Sequence, residues 1–153
     1  MARVEPLSAA EDELWRALMR IMLSLPRQLD RELMLAVGVN SNEYVTLMSL
    51  SEAPNRELRM TDLARSTPLS ASRMTRVVEQ LQSRGLATKR ASIEDGRGHV
   101  ASLTSAGLAK VEASRWVYVA RMRALVFDHV DRTTAKDASQ ALLAIADRLE
   151  GGS

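Results

Sequence analysis

Residues 60–107 contain three patterns in a fixed order: a brief helical pattern, a turn followed by a second helix, and a hairpin. Thr61 is placed to cap the first helix, which is predicted over residues 62–66 with Leu63 and Ala64 facing inward. Residues 67–69, Thr-Pro-Leu, then have the composition of a turn. The segment is therefore predicted to begin with two helices joined by a short turn.

The second helix has one apolar face and one polar face. Ser70 is predicted to cap its first turn. Apolar residues recur at i, i+3, i+4 and i+7, as on a buried helix face: Met74, Val77, Val78 and Leu81. The opposite face carries hydroxyl and guanidinium groups: Ser72, Arg76 and Ser83 at its centre, with Arg73 and Thr75 at its flanks. Short side chains let a backbone approach phosphates and arginine spans a groove to guanine edges, so this face favours DNA recognition. The alternative is an ordinary amphipathic surface helix, which would more often pair lysine with glutamate, whereas Glu79 is the only acidic residue between Ser70 and Arg84.

A glycine-rich hairpin is predicted after this helix. Gly85 stands where a glycine commonly ends a helix, and residues 86–91 and 100–103 are predicted strands around a turn at 94–98. Arg97 lies between two glycines at the tip, where a lone cation can enter a DNA minor groove. An arginine on an exposed hairpin is also common without any such role. Two helices followed by this hairpin are the sequence outline of a winged helix-turn-helix.

The middle of the chain is basic and its flanks are slightly acidic. The 153 residues carry a net charge of +2. Between residues 55 and 100, nine basic side chains stand against five carboxylates, which leaves a net charge of −2 for the rest. A DNA-facing module joined to a partner-facing scaffold would have this asymmetry, and chance clustering of solvated arginines would produce it too.

A long helix is predicted before the module. Ser8 and Glu11 have the spacing of a capping box, and the helical pattern continues to Val37, with a kink expected at Pro26. Its apolar residues recur at helical spacing: Leu14, Leu18, Ile21, Met22, Leu25, Leu29 and Leu33. A shorter helix is predicted to follow, from residue 41 or 42 to the residues before Pro54.

Two more helices are predicted after the module. Thr104 is placed to cap the fifth helix, and Thr134 and Asp137 resemble the cap of the sixth. To bury their apolar faces, these helices must meet the first helix and the same helices of a second chain. The predicted fold is mainly α with a small β-hairpin: dimerisation helices at 8–37 and 105–150, a winged helix-turn-helix DNA-binding module at 40–104, and flexible tails at 1–7 and 151–153.

Composition argues against several other classes of protein. The chain has no cysteine, which removes disulfides and thiolate metal sites. No apolar run approaches the roughly 18 residues that a membrane helix needs, and the acidic N-terminus lacks a signal core, so a cytoplasmic protein is expected. His99 and His129 are not spaced as metal ligands, and no phosphate loop or nucleophile motif is present. No catalytic residue, metal or cofactor is therefore predicted.

In this order the motifs resemble the MarR family of multiple-antibiotic-resistance regulators over nearly the full chain. The matching segments run from the third helix to the start of the fifth: 63–64, 69–76, 81–86, Arg90, 95–97 and 103–107. The resemblance implies an obligate homodimer, joined through the first, fifth and sixth helices, that binds a pseudo-palindromic inverted repeat in double-stranded DNA. Repression is the commoner behaviour among similar proteins.

The resemblance also assigns roles to individual residues. Five residues of the helix predicted after the turn at 67–69 match positions that enter the major groove or hold its phosphates: Ser70, Ser72, Arg73, Thr75 and Arg76. Arg97 matches a wing-tip arginine that probes the minor groove, and Asp95 is expected to orient the wing. Many similar proteins carry further basic residues around the tip, whereas this chain has Gly96, Gly98 and His99. A smaller contribution of the wing to affinity is therefore expected.

Two questions stay open at the level of sequence. Similar proteins often bind small aromatic or lipophilic anions between the dimerisation helices and the module, and four side chains are candidates for lining such a cleft: Trp15, Met19, Tyr44 and Met48. The same spacing also fits ordinary core packing. The second question is whether the winged helix binds DNA or is a protein-interaction module. A protein-interaction module would be expected to have an apolar exposed face on the helix that follows the turn at 67–69.

Overall fold

The computed structural model describes residues 5–92 and 98–150. Its helices are α1 (Ala9–Val37), α2 (Ser41–Glu52), α3 (Met60–Arg65), α4 (Ala71–Ser83), α5 (Ser105–Leu125) and α6 (Arg132–Glu150), and its strands are β1 (Glu57–Arg59), β2 (Ala87–Ala91) and β3 (His99–Leu103). The mainly α fold with a small antiparallel sheet is confirmed. The chain divides into two compact units, Met1–Val117 and Tyr118–Ser153.

The core of the first unit lies between α2, α3, α4, the sheet and the first turns of α5. Its buried residues form one cluster: Leu47, Leu50, Leu63, Met74, Val77, Val78, Leu81, Leu86, Ala87, Ala101 and Val111. All four residues of the predicted α4 stripe belong to it. The polar face of α4 is therefore directed away from the core, as the helical period requires.

The sheet has the strand order β1-β3-β2, with both pairs antiparallel. The third strand, β1, precedes α3 and pairs Leu58 with Ala101 of β3. The predicted cap of α3 is wrong: the helix begins at Met60, and Arg59 rather than Thr61 is its N-cap, without a side-chain hydrogen bond. The reason is that β1 continues directly into α3, so no separate capping residue intervenes.

Helix α1 has the predicted ends. Ser8 and Glu11 form the capping box, and Gly38 ends the helix in the left-handed region with φ 71°. The helix is continuous through Pro26, and the kink stays a prediction. Only the C-terminal part of its apolar face is buried, at Leu29 and Leu33. Further apolar side chains of this helix are more than half exposed in the single chain: Leu14, Trp15, Ile21, Met22 and Leu23.

The start of α5 lies very close to the end of α4. Thr104 caps α5 as predicted, because its Oγ1 accepts a hydrogen bond from the Gly107 N–H at 3.0 Å. The same hydroxyl donates to the Gly85 carbonyl at 2.7 Å. A Cβ at position 107 would stand 2.0 Å from the Leu86 carbonyl oxygen. Only glycine fits this contact between α5 and the chain leading into β2.

In the second unit, α5 ends in a short 3₁₀ turn, Phe127–His129, and α6 follows. The predicted cap of α6, Thr134 with Asp137, is wrong. Asp131 accepts hydrogen bonds from the backbone N–H of Thr133 and Thr134 at 2.9 and 3.0 Å, and from the Thr134 hydroxyl at 2.5 Å. These hydrogen bonds lower the pKa of Asp131, and the bond from the Thr134 side chain has the largest effect. Thr134 lies inside the first turn of α6, where its own backbone N–H needs a partner, so it cannot be the residue that caps this helix.

Candidate nucleic-acid interface

The exposed face of α4 carries the polar side chains that the sequence assigned to it. Ser70, Ser72, Arg73 and Arg76 are exposed and Thr75 is half-buried. Ser70 is the N-cap, and its Oγ accepts from the Arg73 N–H at 3.4 Å. The Thr75 hydroxyl donates to the Ala71 carbonyl at 3.0 Å. The Ser72 hydroxyl shares a hydrogen bond with the Ser70 hydroxyl at 3.3 Å. Thr75 and Ser72 are therefore both engaged locally, whereas the side chains of Arg73 and Arg76 are exposed.

Helix α4 and the first turn of α2 line one open polar groove. Its lining residues come from both helices: Asn40, Asn42, Ser72, Arg73, Arg76, Val77 and Gln80. Sequence reasoning found Ser72 and the arginines but missed the amide side chains of Asn40, Asn42 and Gln80. A helical-wheel reading of α4 places Gln80 one turn beyond Arg76, so that residue was detectable. No local signal places α2 beside this face.

The two arginines in the groove differ from most other cations of the basic segment. Four of those cations form ion pairs: Arg65 with Asp62, Arg84 with Glu43, Lys89 with Glu79 and Arg90 with Glu57. Within the described ranges, no carboxylate lies within 4.0 Å of the guanidinium of Arg73 or Arg76. Helix α4 therefore presents two guanidinium groups that no described carboxylate neutralises.

Helix α4 ends in a motif that aims the chain into the hairpin. Gly85 adopts φ 68°, its N–H donates to Gln82 at 2.9 Å, and the Leu86 N–H donates to Leu81 at 2.9 Å. This is the Schellman arrangement, which glycine favours because a Cβ disfavours positive φ. Leu86 is buried directly after it. The prediction that Gly85 ends the helix is confirmed.

The hairpin is formed by β2 and β3, and its described part closes with a hydrogen bond from the Ser92 N–H to the Gly98 carbonyl at 2.8 Å. Asp95 and Arg97, the residues predicted at the wing tip, lie outside the described residues. At the base of the hairpin, Glu57 accepts from the Ser102 hydroxyl and from the Arg90 guanidinium, both at 2.7 Å. The Ser102 hydrogen bond, followed by the positive charge of Arg90, lowers the pKa of Glu57.

We predict that Glu57→Gln makes part of the protein's stability independent of pH. A lowered carboxyl pKa adds stability that is present above the pKa of the unfolded chain, about 4.3, and that is lost as pH falls through the folded-state pKa. The thermal unfolding midpoint of the variant should be below that of the wild type at neutral pH, and the two midpoints should converge as the pH falls below the pKa of the unfolded chain and through the lower folded-state pKa. Glu112→Gln, at an exposed position of α5, is the control. A gap that is constant over this pH range would contradict the prediction.

The four side chains proposed for a ligand cleft have different environments. Tyr44 is 2% exposed and Trp15 is 55% exposed. Met19 and Met48 are half-buried. Tyr44 therefore has the burial of a core residue, and Trp15 on α1 is largely open to solvent in the single chain.

The described part of the chain has no group of three or more histidine, cysteine, aspartate or glutamate side chains arranged to hold a metal ion. Within the same part, none of the helices combines the length and the hydropathy needed to cross a membrane.

Known proteins resemble this chain in sequence and in fold. The profile of the MarR family matches residues 37–98. Sco3205 from Streptomyces coelicolor, a MarR family transcriptional regulator whose crystal structure is in complex with DNA, is 29% identical with a TM-score of 0.90, over 97% of this chain and 93% of that one. AbsC, a MarR family transcriptional regulator from the same organism, is 28% identical with a TM-score of 0.88, over 97% and 99%.

A more distant structure shares the fold alone: a MarR variant from E. coli complexed with operator DNA, 18% identical with a TM-score of 0.75, over 92% of this chain and 99% of that one. The comparison with curated proteins gives no match. The profile begins at the last residue of α1 and ends just before β3. The two Streptomyces structures extend the likeness to β3 and the flanking helices. In sequence over residues 37–98 and in fold over 97% of its length, the chain is therefore similar to MarR family transcriptional regulators.

Proposed function

We propose that this protein is a sequence-specific DNA-binding transcriptional regulator. The observation that carries the proposal is the exposed face of α4, where Arg73 and Arg76 stand beside Ser70 and Ser72. Neither guanidinium is neutralised by a described carboxylate. Arginine pairs with phosphate and with the guanine edge, and short hydroxyl side chains allow the helix to approach the DNA closely.

Each predicted contact residue has a place in this proposal. Ser70, Ser72 and Arg73 in the first turn, together with Thr75, hold phosphates or the edge of the major groove. Arg76, one turn further along α4, reads bases. For Arg97 and Asp95, which lie outside the described residues, the proposal keeps the roles predicted from the sequence: Arg97 enters the minor groove and Asp95 orients the wing. Asn42 and Gln80 join the interface because they line the same groove as the arginines.

We further propose that two copies bind together on a pseudo-palindromic operator. Apolar side chains stay exposed along α6 in the single chain: Leu142, Leu143, Ile145 and Leu149. Exposed apolar side chains on the N-terminal part of α1 form a second such surface. Pairing α1, α5 and α6 with the same helices of a second copy would remove these surfaces from water. It would also present two α4 helices to successive major grooves.

Repression is the proposed mode of regulation, and a small aromatic or lipophilic effector is its proposed release signal. A transcriptional regulator that shares this fold at 15% identity has a crystal structure in a 2,4-dichlorophenol bound form. In this chain, Met19 and Met48 are the half-buried candidates for such a site. A thermal-shift series with aromatic carboxylates and phenols that gives no shift at any concentration would remove the effector from the proposal.

The test of DNA binding is selection of duplexes from a random pool, followed by mobility-shift titration of the selected sequence. We expect an inverted repeat to be enriched. If Arg73 of each subunit holds one phosphate, raising the salt from about 50 to about 200 mM should weaken binding about tenfold, because counterions are released on binding. Failure to enrich any duplex would favour the alternative, a winged-helix module that binds another protein.

A further inference from the structure

The joint between α1 and α2 is short, and its central residue is buried. Helix α1 ends at Val37, α2 begins at Ser41, and Val39 between them is fully buried. Asp30 of α1 accepts hydrogen bonds from both the backbone N–H and the hydroxyl of Ser41. The two helices are thus held by side-chain contacts on both sides of the joint rather than joined by a free linker.

The carbonyl groups at the end of α1 are bound by cations from two other helices. The last carbonyls of a helix have no partner within the helix and carry the negative end of its dipole. The last turn of α1 contains no basic residue. Instead, Lys110 Nζ from α5 donates to the Val37 carbonyl at 3.0 Å, and Arg84 Nη2 donates to the Gly38 carbonyl at 2.6 Å.

Arg84 connects the same point to α2 and α4. It is the C-cap residue of α4, and its Nη1 donates to both carboxylate oxygens of Glu43, at 3.0 and 3.1 Å. Glu43 is 4% exposed and also accepts from the Asn40 N–H at 3.0 Å, so it caps α2. Lys110, Arg84, Glu43 and the carbonyls of residues 37 and 38 therefore join α1, α2, α4 and α5 at one place, which we call the four-helix node.

We propose that Lys110 and Arg84 are positioning residues that fix the angle between α1 and α4 through the four-helix node. Neither residue lines the groove that holds Arg73 and Arg76. Their predicted effect on DNA binding rests on the proposed function. Because α1 belongs to the proposed dimer and α4 to the proposed reading surface, the node sets the separation of the two α4 helices and hence the half-site spacing of the operator.

The first test measures the angle without DNA. The chain has no cysteine, so Ser24→Cys on α1 and Gln82→Cys on α4 allow two spin labels to be placed at exposed positions of one chain. Excess unlabelled protein keeps distances between copies out of the measurement. Lys110→Met removes the charge and keeps the aliphatic stem, and we expect the mean label distance to shift by about 2 Å or more, the scale of known helix displacements. Lys110→Arg should restore the wild-type distance.

Lys136→Met, which removes the same charge from an exposed position of α6, is the matched control and should leave the distance unchanged. Circular dichroism checks that each variant is folded, and Lys110→Gln replaces Lys110→Met if the latter is not. A distance distribution that is the same in wild type and in the folded neutral variant would overturn the proposal.

The second test uses the selected operator in versions whose half-sites are separated by one base pair more or less. We expect Lys110→Met to lose much of the wild-type preference for one spacing, whereas Lys110→Arg and Lys136→Met keep it. A purely structural role would weaken binding to all spacings in parallel, and that result would also overturn the proposal. If the wild type binds no duplex, the proposed function fails, and the distance measurement still decides the role of the node.

Discussion

Arg76→Ala is expected to remove the discrimination between operator and random duplex while leaving the protein folded. A bidentate contact between arginine and a base edge contributes about 1–3 kcal/mol to discrimination. A dimer uses this contact twice, so the ratio of specific to random affinity should fall by about a hundredfold or more. Because Arg76 is exposed and makes no ion pair with a described residue, the free energy of unfolding should hardly change.

The measurement is a pair of mobility-shift titrations, one on the selected operator and one on a scrambled duplex of the same length. Arg27→Ala is the matched control, because it removes an equal charge from an exposed position of α1, outside the groove. The control should lower both affinities little and equally. If Arg76→Ala preserves the wild-type ratio, Arg76 does not read bases.

Gly107→Ala is expected to destabilise the protein more than alanine at any other described glycine. The new Cβ would stand 2.0 Å from the Leu86 carbonyl oxygen and 2.7 Å from Leu103 Cδ1. The side chain of Leu103 can rotate away, but the carbonyl is part of the backbone and cannot. Overpacking costs about 1–3 kcal/mol, and a clash with backbone lies at the upper end of that range. The thermal midpoint should fall by roughly 10 °C.

Two other glycines separate a steric clash of the new Cβ from the cost of a left-handed backbone conformation. At Gly98 the added Cβ would make an ordinary contact at 3.8 Å, and Gly98→Ala should change little. At Gly85 nothing lies within 4 Å, but φ is +68°, so Gly85→Ala should cost about 1 kcal/mol for the left-handed conformation alone. Equal destabilisation by Gly107→Ala and Gly85→Ala in thermal unfolding would show that the close approach at residue 107 is relieved in solution.

The elements that the sequence predicted well are those whose signals are local. The cap at Ser70, the apolar period from Met74 to Leu81 and the glycine at 85 all lie within α4 or one turn of it, and the structure has each of them as predicted. The capping box of Ser8 with Glu11 is another such case. Hydrogen bonds of this kind depend on fixed sequence separations, so a single chain is enough to recognise them.

The features that escaped prediction depend on distant residues. Arg84 is one of the nine basic side chains between residues 55 and 100, yet its partner Glu43 is 41 positions away in sequence. The amides of Asn40 and Asn42 face α4 only because α2 packs beside it. The close approach of Gly107 to Leu86 joins two segments 21 positions apart. No period or local spacing encodes such contacts, because they arise from the tertiary arrangement.

The predicted capping residues of α3 and α6 are wrong because the chain before each helix already supplies the cap. Arg59 is both the last residue of β1 and the N-cap of α3, so Thr61 already lies inside the helix. At α6, Asp131 precedes the helix and accepts hydrogen bonds from the backbone N–H groups of Thr133 and Thr134 in its first turn. Capping preferences rank residue types, but the direction from which the chain enters the helix decides which of them is used.

The exposed apolar side chains of α6 have a consequence for how the protein is made. Among the described side chains of this helix none is buried in the single chain. A helix of this length gains little from backbone propensity alone. Under the proposed pairing, the folding of α6 and the meeting of two chains are then one reaction, which depends on the concentration of newly synthesised protein. A cell that makes too few copies would hold chains with an incomplete sixth helix, so the number of working regulators would rise more steeply than the number of chains translated.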